Sequence, residues 1–277
     1  MAEALSDCAA LVRRADFDRY LATLFAPAEA RERLFALYAF NHEIAKVRET
    51  VSEPMIGQIR LQWWREAIDG IYAGTPRKHV AVEALAEAVA TARPARTDFE
   101  ALVDAREFDL AARAPATLAE LEAYGEGSSS RLLYLGAALL GARGEATRAA
   151  LRPLGIAWAL TGLIRAIPFH ARARRQFIPA DVAHAAGLAE AALFALKPGE
   201  PLRRAVSALA EAAERHLAAA KAAAPEAAAR PLMLFAPLAR AYLRQLAAHR
   251  HEVMERPLEI SPAAKIARLW WAARFGV

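Results

Sequence analysis

Alanine runs through every segment of this chain, while glycine and proline fall at intervals that read as punctuation. Alanine has the best helix propensity of any residue, and proline interrupts a helix by removing an N–H donor. Strand-like runs of valine, isoleucine and threonine are scarce, so the pattern points to helices throughout. With 277 residues, 56% of them hydrophobic, the chain can bury a sizeable core. No long Ser/Gly/Pro-rich or single-charge stretch divides it, so residues 1–277 read as one all-α domain.

The breaks predict the helices. Pro27 ends a first amphipathic stretch, and Ala28–Val51 carries Leu34, Leu37, Tyr38, Asn41, Ile44 and Val47 at helical spacing. A tryptophan-rich helix is expected over Ile59–Tyr72, closed by Gly74, Thr75 and Pro76. Val80–Thr91 follows, then a helix capped by Thr97 or Asp98 that runs to about Arg113. Thr117 with Glu120 forms a capping-box pattern. Gly125–Ser130 is either a loop or a place where a helix approaches a neighbour closely. Arg131–Leu140, Glu145–Pro153 and Leu154–Ile167 are apolar helices, and Pro168 and Pro179 bracket a basic connector. The last third predicts helices near Pro201–Ala224, Arg230–Val253 and Ser261–Phe275.

Charge and cysteine content narrow the surroundings. The formal net charge of +5 is modest: it suits a solvated surface, and also contact with an anionic membrane or a diphosphate. Cys8 is the only cysteine, which leaves no intramolecular disulfide and no paired-cysteine metal site. The N-terminal stretch has early acidic residues and no long apolar core, so it does not read as a secretory signal. Leu132–Ala142 and Pro153–Ile164, the longest uncharged apolar stretches, are too short to span a bilayer. A cytoplasmic protein, peripheral on the inner membrane if bound at all, is the expectation.

Asn41–Glu49 and Gly162–His170 carry polar residues inside apolar patterns. They line a central cavity or face water at helix ends. Tyr38-Ala39-Phe40-Asn41 followed by Glu43-Ile44-Ala45 and Val47 resembles the first motif region of squalene/phytoene synthases, and Gly155–Pro179 resembles the second. The resemblance implies an all-α isoprenoid-synthase bundle with a central cavity. In active members, it implies, each motif sets two aspartates four residues apart on one helix face, holding magnesium against a prenyl diphosphate. Here those positions fall on Ala45 and Glu49, and on Ala166 and His170, with Pro168 between the second pair. One carboxylate of four remains, alanine cannot ligate a metal, and imidazole is a poor partner for magnesium. No catalytic or metal-binding residue is therefore assigned. No cofactor is expected, and magnesium enters only if the chain is an active prenyl diphosphate transferase.

Several stretches resemble one branch more closely, the mitochondrial complex I assembly factor 6 family and its bacterial relatives. They include Arg60-Leu61-Gln62-Trp63-Trp64-Arg65, Asp104-Ala105-Arg106-Glu107 and Arg165-Ala166-Ile167-Pro168-Phe169-His170. This likeness implies a catalytically silent synthase fold that supports biogenesis of the respiratory NADH dehydrogenase, with that complex's subunits or assembly intermediates as partners.

Individual residues stay open to two readings. Asn41, Arg48, Arg60, Arg65, Glu107, Asp109, Arg165, Arg172 and Arg175 are candidates to line the cavity or bind an anion. Alternatively, Glu43, Glu49, Glu66 and Asp69 pair with Arg48, Arg60, Arg65 and Arg165. Arg172-Ala173-Arg174-Arg175 suits a diphosphate, a membrane, an acidic partner or plain solvent. No aromatic stacking pattern or nucleic-acid motif accompanies it, so nucleic acid is not a predicted partner. The basic, aromatic stretch Lys265–Phe275 either packs on its own domain or lies in a membrane interface. An isoprenoid lipid in the cavity is a further candidate. His42 and His170 do not read as an acid–base pair, for want of a nucleophile.

Overall fold

A computed structural model describes residues 5–276 except Ala112 and Pro198, so the first four residues of the N-terminal stretch discussed above lie outside it. The described residues form helices and no strand. Sixteen α-helices follow in order: α1 Asp7–Ala15, α2 Phe17–Thr23, α3 Ala28–Ala45, α4 Pro54–Tyr72, α5 Val80–Ala92, α6 Arg96–Ala105, α7 Glu107–Leu110 and α8 Leu118–Gly125. Then come α9 Arg131–Leu139, α10 Glu145–Arg172, α11 Ala180–Ala186, α12 Glu190–Phe194, α13 Glu200–Ala222, α14 Arg230–Met233, α15 Phe235–Ala248 and α16 Pro262–Phe275.

Capping chemistry fixes several starts. Ser6 Oγ accepts from Ala9 N–H at α1, Asp16 Oδ1 from Arg19 N–H at α2, and Ser261 Oγ from Ala264 N–H at α16. Thr117 caps α8 as expected, accepting from Glu120 N–H. The reciprocal contact is shifted by one residue, because Glu120 takes Ala116 N–H instead.

The long helix α10 is the axis of the bundle. It lies along α13 and also meets α8, α9 and α15. Pro153 and Pro168 sit inside its 28 residues, so the expected division there is corrected. Neither N atom can donate to the preceding turn, yet the helix continues through both sites. Ser130 Oγ donates to the Arg152 carbonyl at 2.6 Å beside the first. At 28 residues α10 is long and apolar enough to cross a membrane, longer than its uncharged stretches suggested. More than half of its apolar window is buried, which is how a core helix looks.

Gly125–Ser130 resolves as a close approach. Glu126–Ser130 forms a π-helical turn that joins α8 to α9 without a loop. A Cβ on Gly155 would stand 2.4 Å from Ser130 Cα, so only glycine lets this turn lie against α10.

Other boundaries moved for local reasons. The expected Ala28–Val51 helix ends at Ala45 and tightens into a 3-10 turn over Lys46–Thr50. Pro54 opens α4 five residues ahead of the expected Ile59. Asp98 caps nothing: it is buried and holds Arg131 at 2.8 Å and Arg148 at 2.6 Å, while Ala95 precedes α6. The helix expected to reach Arg113 breaks at Arg106 and ends at Leu110. The expected connector after Pro168 begins as the end of α10, which runs to Arg172, and α11 and α12 follow Pro179, neither of them anticipated.

Candidate functional site

Between α2, α3, the π-helical turn and α10 lies a cavity of about 450 Å³, within the range of small-molecule sites. Each wall reflects local sequence. Asp16 caps the short α2, which supplies Asp18 and Arg19; Tyr38, Asn41, His42 and Ala45 are successive inward positions of α3. Ser128 and Ser129 enter from the π-helical turn, and Trp158, Gly162 and Arg165 from α10.

The lining is charged, and its charges are mutually engaged. Asp18, only 5% exposed, lies 2.6 Å from Lys265 Nζ and 3.4 Å from Arg165 Nη1. It also accepts from the Tyr242 hydroxyl at 2.7 Å. Arg165 stacks 3.8 Å above the Tyr242 ring. Burial of the Tyr242 phenol pushes its pKa up, and the nearby Asp18 carboxylate adds to that rise. Asp16 caps α2 and pairs with Arg19.

A second network stands beside the first. Arg106 donates to Asn41 Oδ1 and to the Tyr124 hydroxyl, both at 3.1 Å. Tyr124 donates to Asp109 Oδ1 at 2.8 Å, and Arg106 lies 3.4 Å from Asp109 Oδ2. Arg175 donates to the Asp109 carbonyl at 2.9 Å. Asn41 and Asp109 are buried, so this network fixes the junction of α3, α7 and α8 next to the cavity.

The motif positions separate. Ala45 presents only a methyl group to the cavity. Glu49 is exposed on the 3-10 turn, where the face shared by residues four apart on an α-helix is lost. Ala166 and His170 lie farther along α10, outside the cavity lining. His170 packs 4.6 Å from the Phe177 ring; burial first, then Arg175, lowers its pKa to about 4. His42 does line the cavity, with a pKa lowered by burial and then by Lys46.

Of the candidate anion binders, the cavity gathers Asn41 and Arg165. Arg48 donates to the Val51 carbonyl, Arg60 to Thr50 and Arg172 to the Pro168 carbonyl. Arg65 is held by Asp104 and Glu107, at 2.6 and 2.5 Å. The expected acidic partners are also reassigned: Glu43 takes Lys46, Glu66 takes Arg77 and Asp69 takes Arg96. Arg106, Asp18, Tyr242 and Lys265 were missed. The Asp16-Phe17-Asp18-Arg19-Tyr20 run was the one visible signal, two acids beside a helix start.

Magnesium needs several oxygen ligands, carboxylates above all. Of the cavity's two carboxylates, Asp18 is neutralised by two cations and Asp16 pairs with Arg19. Among the described residues no three of His, Cys, Asp and Glu converge as a ligand set. The side chains present do not fit the magnesium cluster that the motif spacing implies for active synthases.

The squalene/phytoene synthase profile matches residues 12–264. The chain belongs to this family. Two solved squalene/phytoene synthase-type structures show the same fold. A dehydrosqualene synthase bound to a ligand superposes with a TM-score of 0.84 at 17% identity, covering 97% of this chain and 94% of its own. The squalene synthase of Alicyclobacillus acidocaldarius gives 0.77 at 18% identity, covering 88% and 93%.

Relatives with named roles fall into two groups. NADH dehydrogenase (ubiquinone) complex I, assembly factor 6 of Bos taurus is 35% identical over 211 residues, 76% of this chain and 63% of that protein. The Homo sapiens protein of the same name is 34% identical over the same extent. The chain thus spans somewhat less than two thirds of these relatives' length. The presqualene diphosphate synthase of Rhodopseudomonas palustris is 28% identical over 203 residues, 73% of this chain and 72% of that protein.

Proposed function

We propose that this squalene/phytoene synthase-type bundle has given up prenyl diphosphate chemistry and supports assembly of the respiratory NADH dehydrogenase. The observation that carries the reading is the occupancy of the cavity by its own ions. Asp18 is tied to Lys265 and Arg165, while Ala45 stands where a metal-binding carboxylate would be needed. Ionising a prenyl diphosphate demands cations held ready for the leaving group. A buried lysine already paired to a buried aspartate is a poor substitute, since releasing either would strand the other.

The 34–35% identity to complex I assembly factor 6 from two mammals supports the biological half of the reading. The partners would be subunits or assembly intermediates of that complex, met on the cytoplasmic side of the membrane that holds it. Deleting the coding sequence from its host tests this. Membranes should lose NADH dehydrogenase activity and the mature complex on blue-native gels, and the intact chain should restore both. Unchanged complex would overturn the assembly role.

An active prenyl transferase is the competing reading, favoured by the similarity to presqualene diphosphate synthase and to the Rhodobacter capsulatus phytoene synthase, the latter at 27% identity. It requires metal-dependent release of pyrophosphate, which this reading excludes.

A further inference from the structure

A second hollow, larger than the central cavity, shares no lining residue with it. Its volume is about 910 Å³ against 450 Å³. It lies where the end of α2, the start of α3, the end of α13, α14, α15 and the last turn of α16 meet.

Five cationic side chains line this groove: Arg31, Lys221, Arg230, Arg240 and Arg274. Among the described residues no carboxylate lines it. Elsewhere on the molecule Arg65, Arg77, Arg131 and Arg148 each hold an acidic partner; among the described residues these five hold none. Five like charges around one hollow repel one another unless an anion joins them. The base of the groove is apolar, built from the buried Leu217, Met233 and Leu234.

The wall contributed by α16 continues onto the outer surface. Trp270, Trp271 and Phe275 are 56%, 62% and 59% exposed, and Ile266 joins them. Leu269 and Ala272 hold the opposite face of the helix in the core. None of the 14 residues of α16 is acidic. Two adjacent exposed tryptophans beside unpaired arginines are not explained by a free anion. They match the interface of a bilayer, where an indole is half in hydrocarbon and half in water.

We propose that the groove and the outer face of α16 dock this protein on an anionic phospholipid bilayer. One lipid phosphate sits among Arg230, Arg240 and Arg274, and the first acyl carbons lie against Met233 and Leu234. Trp270, Trp271 and Phe275 enter the headgroup layer alongside. Cations near such a surface each strengthen attachment about fivefold, and the aromatic side chains add apolar burial.

Co-sedimentation of the full chain with two kinds of vesicle tests this, one of phosphatidylcholine and one of equimolar phosphatidylcholine and phosphatidylglycerol. Binding is expected to the anionic vesicles only, and to weaken with added salt. Arg230→Gln and Arg240→Gln should each lower it about fivefold. So should Lys221→Gln, which alters an exposed side chain and leaves the fold intact. Trp270→Ser with Trp271→Ser should lower binding without moving the melting temperature. Equal binding to both vesicles, no binding, or variants that bind like the parent would overturn the proposal. Release by inorganic phosphate beyond that by chloride at equal ionic strength would reassign the groove to a free anion. Stronger capture by polyglutamate than by the anionic vesicles would reassign it to an acidic protein. None of these readouts involves prenyl diphosphate or NADH dehydrogenase, so this proposal and the assembly role fail separately.

Discussion

Lys265 sets its ammonium nitrogen 2.6 Å from Asp18 Oδ1, joining the last helix to the second inside the protein. Both side chains are buried, and Arg165 and Tyr242 complete the shell around the carboxylate. An ion pair withdrawn from water in this way adds little net stability, but breaking one side of it is costly.

Lys265→Met should therefore destabilise the protein by about 3 kcal/mol, because Asp18 would keep its charge with only the longer Arg165 contact. The double variant Asp18→Asn, Lys265→Met should recover most of that loss. Urea unfolding midpoints of the parent, the two single variants and the double variant measure the coupling directly. Purely additive losses would show that the pair is not linked.

This pair also marks where sequence reading stopped. The helices were legible because alanine, capping residues and breakers act locally, and periodicity set Tyr38 and Asn41 on α3, whereas Ala45 was reached only through the motif resemblance. Asp18 and Lys265 lie at opposite ends of the chain, and no local pattern links them. The same holds for Arg65, whose nearby acids on α4 were the natural guess. It reaches instead to Asp104 and Glu107 on α6 and α7. For Glu49 the sequence leaves cavity and solvent both open, because its expected helix runs to Val51; tightening of the chain at Lys46 turns it to solvent. Pro168 reads as a break by propensity, yet α10 runs on through it to Arg172.

His170 predicts a pH response. Burial first, and then Arg175, bring its pKa down to about 4, below the ordinary 6.5 of the unfolded chain. As pH falls below 6.5 the unfolded state gains a proton that the folded state refuses. Stability is thus full above 6.5, declines toward pH 4 and levels off beneath it. The loss is on the order of 3 kcal/mol. Unfolding measured from pH 7 to 4 should show a shallower decline in His170→Gln than in the parent. Parallel curves would mean that this imidazole is not held neutral.

Two glycines of α10 should respond oppositely to alanine. At Gly155 the new methyl would fall within 2.5 Å of Ser130 backbone atoms, forcing α10 away from the π-helical turn. Gly155→Ala should cost at least 2 kcal/mol, about what overpacking a tight core does. Gly162 faces open space, and there alanine should add about 0.5–1 kcal/mol through helix propensity. Thermal unfolding of both variants checks the contrast.

Replacing the motif alanines with aspartate should not create a synthase. A carboxylate at position 45 would enter a cavity that already holds Arg19, Arg165 and Lys265, and would pair with them. One at position 166 would lie outside that cavity. Ala45→Asp with Ala166→Asp should accordingly give no magnesium-dependent turnover of farnesyl diphosphate in a product assay, with the fold retained by circular dichroism. Appearance of a coupled C30 product would show that the loss lies in those two side chains alone.

The most direct measurement is pyrophosphate release by the purified chain given farnesyl or geranylgeranyl diphosphate with magnesium. If Asp18, Lys265 and Arg165 satisfy one another as described, release should match a protein-free control at every magnesium concentration. Release that rises with magnesium, accompanied by a condensed prenyl product, would contradict the account.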